Sequence, residues 1–197
     1  MNSERFDYEL MEPPEVFPPF EQMSAAHATR HFEWFIAEAP SRIRQIREAY
    51  AHSAGSEFQL DFTVESLVPL WRWLSGFVEI VAAETPKRTL PQWATAVGIT
   101  NRQLKPSTLA LGVDTGFYIA EIFMRTSKSV RWVLWTKTKD YYWNRPVLIG
   151  FGPYPLVPHD LVVANFWKVA RREFATDQLL RSFKVWQRKL SGVRANQ

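Results

Sequence analysis

Cysteine is missing from this chain of 197 residues. Its absence excludes disulfides, thiol nucleophiles and thiolate metal sites. Long apolar runs are missing too. None approaches the roughly 18 to 20 residues that a membrane helix needs, so no membrane span is expected. The opening MNSERFDYELMEPPE is acidic and has no apolar signal-peptide core, which makes a cytoplasmic address the expectation. Histidine is scarce, with only His27, His31, His52 and His159 to serve as bases or ligands. The glycine signatures of nucleotide sites (GxGxxG, GxxxxGKS/T) and of the hydrolase elbow (GxSxG) do not occur. There is no internal repeat or low-complexity array.

What the chain has in quantity is aromatic bulk: nine Trp and fourteen Phe, within 46% hydrophobic residues. That supplies a sizeable core and an ordered body. Charge is unevenly spread. Residues 1–22 carry six acids against Arg5 alone, while from Arg125 onward fourteen bases face four acids. Such separation favours an acidic partner at the C-terminal end. The segment 1–22 also holds Pro13, Pro14, Pro18 and Pro19, which exclude helix and favour an extended chain. It reads as a loosely held tail, or as an acidic strap over the basic C-terminal surface or on a partner, with Phe17 and Phe20 as anchors on the body.

The remainder, 23–197, reads as one α+β domain, predominantly helical, with a small antiparallel β-hairpin or sheet near residues 130–151. Ser24 suits the cap of a helix whose stripe is Ala28, Phe32, Phe35, Ile36 and Ala39, with Pro40 as a kink or a fresh start. Gly55 reads as its stop. A second helix is expected through Leu67, Leu70, Trp71, Leu74, Phe77, Val78 and Val81, capped by Asp61 or Thr63, and a short one around Gln92 to Val97. From Pro106, Leu109, Gly112, Val113, Gly116, Ala120 and Phe123 share one helix face. Glycines in a helix interior cost about 1 kcal/mol each, so Gly112 and Gly116 point to another backbone approaching closely. The opposite stripe, Asp114, Tyr118, Glu121 and Arg125, reads as solvated. Strands are expected in VRWVLWTKT and VLIGF, then helices over 160–174, capped by His159 or Asp160, and over 176–190, capped by Thr176.

Three constellations bear on catalysis, and each has a plainer explanation. His27 and His31 stand at i, i+4, yet Ala28 occupies the place of the zinc-protease glutamate, so the pair reads as a surface face and no metal or cofactor is expected. His159-Asp160 is similar to the central dipeptide of HD-type phosphohydrolases, with His52 and Asp177 as nominal partners. A helix cap explains it more simply. Asp114 and Glu121 lie about 10 Å apart along one helix, wide for a glycosidase pair. No catalytic residue is assigned.

The stretch VRWVLWTKTKDYYWNRPVLIGF interleaves aromatics with bases. Alternation assigns Val130, Trp132, Leu134, Val147 and Ile149 to the core. Trp135, Lys137, Lys139, Tyr141, Tyr142, Trp143 and Arg145 are left as the candidate protein-binding surface, because aromatics and Arg are the usual interface anchors. Nucleic acid is the alternative partner for the same residues, through stacking and a positive groove. The succession LALGVDTGFYIAEIFMR, VRWVLWTKTKDYYWNRPVLIGFG and a helix with Val163 and Phe166 resembles a family of uncharacterised bacterial proteins. In that family a helix with an Asp-Gly pattern leads to a Trp, Thr-Lys, Asn-x-Pro-Val-Leu-x-Gly-Phe hairpin. The matching positions are Asp114, Gly116, Glu121, Trp132, Thr136, Lys137, Asn144, Pro146, Val147, Leu148, Gly150 and Phe151, within residues 106–170. The resemblance implies an immunity-like partner of a bacterial toxin.

Overall fold

The structure is a computed structural model that describes residues 8–54, 59–82, 102–137 and 139–194, with backbone alone at 102 and 191–194. The stop at Gly55 and the short helix at Gln92–Val97 lie outside the described residues. Among the described residues the fold is α+β and predominantly helical, with five helices and two small antiparallel hairpins.

Helix α1 runs Ala25–Ala54 without a break. Ser24 caps it, its Oγ accepting from the His27 N–H at 3.2 Å. Pro40 sits inside the helix on its exposed side, where the carbonyl deprived of its donor can turn to water. The buried stripe is Ala28, His31, Phe35, Arg42, Ile46 and Tyr50. His31, expected on a surface face, is therefore inside, and so is Arg42.

Helix α2 is Leu67–Ser75 and stops at Gly76, shorter than the periodicity suggested. Phe77 and Glu79 are instead tied to the next long helix. Thr108 Oγ1 donates to the Phe77 carbonyl (3.2 Å) and accepts from the Glu79 N–H (3.1 Å). Val81 then belongs to strand β1, Ile80–Ala82, which pairs with β2, Arg102–Leu104. These tertiary bonds outweigh the helical spacing of the apolar residues.

Helix α3, Pro106–Thr126, is the spine, opened by Pro106 in its first turn. It is buried on every side from Thr108 to Ala120. Asp114 and Tyr118 are both inside, so only Glu121 and Arg125 of the stripe read as solvated lie at the surface, joined by an ion pair of 2.8 Å. Tyr118 OH lies 2.7 Å from Ser66 Oγ and accepts from the Phe62 N–H, tying α3 to the approach to α2.

Strands β3, Arg131–Leu134, and β4, Pro146–Ile149, form the expected hairpin in the register Trp132 to Leu148 and Val133 to Val147. Helix α4, Pro158–Ala170, takes Val157 at its cap and Pro158 in its first turn, so neither His159 nor Asp160 caps it. Helix α5, Gln178–Arg194, packs on α2 and α4. The Trp71 indole N–H donates to the Ala175 carbonyl at 2.9 Å, while Phe183 stacks on Phe123 with ring centroids 4.0 Å apart.

Candidate functional site

Among the described residues, the acidic N-terminal segment is bonded to α1, α3 and the hairpin loop and not to the basic C-terminal helices. Residues 8–23 lie as a strap across α1 and α3 and end under the long loop of the β3–β4 hairpin. Tyr8, Met11, Phe17, Phe20 and Met23 are buried. The Tyr8 hydroxyl donates to Asp114 Oδ2 at 2.5 Å, the Arg42 Nε to Asp114 Oδ1 at 2.9 Å, and Arg42 also to the Glu9 carbonyl at 2.7 Å. Farther along, Arg30 pairs with Glu15 at 2.7 Å on the surface. Between strap and α1 lies a cleft of about 610 Å³, with Glu9, Glu12, Glu38 and Arg42 among its lining.

The last part of the strap shapes the hairpin loop. Asn144 adopts φ 61°, a left-handed conformation that asparagine tolerates better than most residues. Its buried amide donates to the carbonyls of Phe20 (2.9 Å) and Met23 (3.2 Å). The guanidinium of Arg145 lies 4.6 Å from the Phe20 ring centre and 4.3 Å from that of Tyr141, with Glu21 at 3.7 Å. The Tyr141 hydroxyl donates to Asp160 Oδ2 at 2.7 Å, so the other side of the loop rests on the first turn of α4. Burial and the neighbouring Asp160 carboxylate push the Tyr141 phenol above its ordinary range.

Those bonds divide the candidate residues. Arg145 is buried, and with Asn144 it anchors the loop from below. Tyr141 (48% exposed), Lys137 and Lys139 face solvent, while Trp135, Tyr142 and Trp143 are half-buried. Lys137 lies over the Trp135 ring (5.3 Å) and Lys139 over that of Trp143 (5.8 Å), giving two cation–aromatic pairs on one loop. Asn144 was absent from the candidates because its role depends on Phe20 and Met23, over a hundred positions away. The signal in the sequence was the Asn-Arg-Pro turn itself.

Beneath this loop lie two buried histidines. His31 is enclosed by Phe17, Phe20, Trp34 and Phe35, and its Nδ1 finds no partner among the described residues. Burial, aided by nearby His159, pushes its imidazole down to about 4. His159 is lowered by burial as well, against the favourable charge of Asp160, whose Oδ1 lies 3.7 Å from its Nε2. Both rings thus resist protonation in the fold, while the unfolded chain takes up protons below about 6.5. Stability is therefore lost as pH falls from about 6.5 towards 4. Replacing His31 with Phe keeps an aromatic in the cage and removes one titration. The expected result is about 2 kcal/mol less stability lost between pH 7 and pH 4.5 than in the parent, read from urea midpoints.

The catalytic alternatives find little support in this geometry. Asp114 has no exposed surface to offer a substrate, and both its oxygens are bonded. His52 is exposed at the end of α1, and Asp160 is engaged by Tyr141. No group of three or more His, Asp or Glu side chains able to hold a metal occurs among the described residues. No helix is long and apolar enough to cross a membrane, again among the described residues. Comparison with protein-family models, with curated proteins and with solved structures returns no match.

Proposed function

We propose that the protein is a non-enzymatic binding protein that receives a protein partner on the loop from Trp135 to Trp143, as an immunity-like protein would mask a bacterial toxin. The observation that carries the reading is a contrast within eleven positions of chain. The base of the loop is bonded into the body by Asn144, Arg145 and the Tyr141 hydroxyl, while four aromatic rings (Trp135, Tyr141, Tyr142 and Trp143) and two lysines remain wholly or partly at the surface. A loop held in this way loses little conformational freedom on binding, which is where much affinity is otherwise forfeited. Trp and Tyr present large apolar faces with few rotatable bonds, and the lysines add attraction for an acidic patch.

The test is affinity capture from the native host with the parent protein and with a Lys137→Glu, Lys139→Glu, Trp143→Ala variant. Lys137 and Lys139 are exposed and Trp143 is half-buried, so far-UV circular dichroism should be unchanged and the unfolding temperature should fall by no more than a few degrees. The parent should retain a defined protein that the variant loses, with affinity for the purified partner falling at least tenfold. Retention of the same proteins by both forms would overturn the reading. So would capture of nucleic acid alone, lost steeply as salt rises.

A further inference from the structure

Helix α5 has a second character besides its packing. Leu179, Phe183 and Leu190 are buried, and Trp186 meets Phe151 edge to face with centroids 5.3 Å apart. On the other side Arg181, Lys184, Val185 and Arg188 stand at i, i+3, i+4 and i+7 and are all exposed. That spacing is a single stripe along one helix face. Residues 178–194 contain no acid at all. Arg181 is paired with Asp177 at 2.7 Å, whereas Lys184 and Arg188 have no acidic partner among the described residues. Like charges at i, i+4 destabilise a helix slightly, so this stripe carries a cost that packing does not explain. Val185, 52% exposed in its middle, is β-branched and gains nothing from facing water.

The surface continues onto the segment after β4. Tyr154 is 59% exposed, and the Lys189 ammonium lies 4.7 Å from its ring centre and 3.9 Å from that of Trp186. The acidic strap, over residues 8–23, is bonded to α1, α3 and the hairpin loop instead, so it does not neutralise this face.

We infer that the Arg181–Lys184–Val185–Arg188 face of α5, extended by Tyr154, is a second docking surface, for an acidic segment of a partner protein that also carries an apolar side chain. The inference does not depend on the hairpin loop. An apolar centre with cations around it is the anatomy of a protein interface, in which the rim charges steer approach. Single-stranded nucleic acid needs open aromatic faces for its bases. Here one lysine covers both rings, and Trp186 is further packed on Phe151. An anionic bilayer needs an apolar stripe to enter the interface, and α5 turns its own stripe into the core.

The probe is a fluorescein-labelled peptide of about twenty residues, in which leucines are spaced among glutamates, titrated against the full chain at low salt and at about 0.3 M salt. Four forms are compared: the parent, Lys184→Glu/Arg188→Glu, Val185→Ser, and a control, Arg44→Glu/Arg72→Glu. The control makes the same change in net charge at exposed sites elsewhere. The peptide should bind the parent and weaken with salt, at least tenfold more weakly to the α5 double variant and about threefold more weakly to Val185→Ser. The control should stay within twofold of the parent. Absence of binding to the parent, an equal loss in the control, or tighter binding of an oligo-dT strand or phosphatidylserine vesicles than of the peptide would each overturn the inference. A Lys137→Glu/Lys139→Glu protein run beside them should bind the peptide as the parent does. Retained peptide binding there, with loss of the native partner, separates the two surfaces.

Discussion

Replacing Asp114 with alanine is expected to destabilise the protein by about 3–5 kcal/mol. The carboxylate is wholly buried in α3 and accepts from Arg42 and from Tyr8. Its removal leaves a buried guanidinium whose remaining hydrogen-bond acceptor among the described residues is the Glu9 carbonyl, and it takes the Asp114 acceptor from the Tyr8 hydroxyl. The cost arises from the stranded cation and not from the pair as such. An Arg42→Met/Asp114→Leu protein should therefore recover most of the loss, since a buried pair rarely stabilises more than apolar groups of similar volume. Urea unfolding of the three proteins decides the matter. A single-variant loss below about 1 kcal/mol would mean that Arg42 reaches water and that the strap is not held there. A second readout is local: proteolysis within residues 9–16 should quicken in Asp114→Ala, because Tyr8 and Glu9 tie this part of the strap to Asp114 and Arg42.

The same carboxyl gives a pH dependence opposite in sign to that of His31. Burial pushes Asp114 up to about 6, with Arg42 and Tyr8 pulling the other way. Its ordinary value is 3.8, so between about 4 and 6 the folded state holds the proton more tightly than the unfolded chain. The contribution of this group is present below about 4 and is lost as pH climbs through 6. Acid therefore favours the fold through Asp114 and opposes it through His31 and His159, which should flatten the net profile near pH 5. Asp114→Asn removes the favourable arm and leaves the histidines, giving a steeper acid loss than in the parent.

Much of the fold was legible because its signals are local. The apolar spacing from Leu109 to Phe123 announces a helix, and the alternation from Val130 to Leu134 announces a strand. What escaped were the polar residues whose burial depends on distant partners. Asp114 and Glu121 sit on one helix with similar spacing to their apolar neighbours, yet one is wholly buried and the other pairs with Arg125 at the surface. The difference lies with Arg42, 72 positions away, and Tyr8, 106 positions away. His31 is likewise inside only because Phe17 and Phe20 of the strap close over it. Of the candidate surface, six residues keep some exposure and Arg145 keeps little, for the same reason: Phe20 lies against its guanidinium. Where sequence spoke of nonlocal contact, it spoke through the strap's Phe17 and Phe20 and through glycine.

Gly116→Ala should cost about 2 kcal/mol or more, against less than about 1 kcal/mol for Gly112→Ala, although the two glycines lie one turn apart on the same face. A Cβ at Gly112 would meet side-chain atoms, Val163 Cγ2 at 3.1 Å and the Phe166 ring at 3.2 Å. These can yield by a few tenths of an ångström, and the gain in helix propensity offsets much of the strain. A Cβ at Gly116 would meet backbone: His159 N at 2.7 Å and its Cα at 2.9 Å. Backbone in the first turn of α4 can give way only by moving the turn, and Asp160 moves with it. Asp160 is the acceptor for Tyr141, so the displacement reaches the hairpin loop. Gly116→Ala should thus raise hydrogen exchange at residues 139–145 and weaken partner binding several-fold, from a site with no surface of its own. Gly112→Ala should do neither. Equal unfolding free energies for the two variants would show that the spacing of α3 and α4 is set by their side chains and not by this backbone contact. Unchanged exchange in the loop, alongside the expected loss of stability, would show that Asn144 and Arg145 hold it without help from α4.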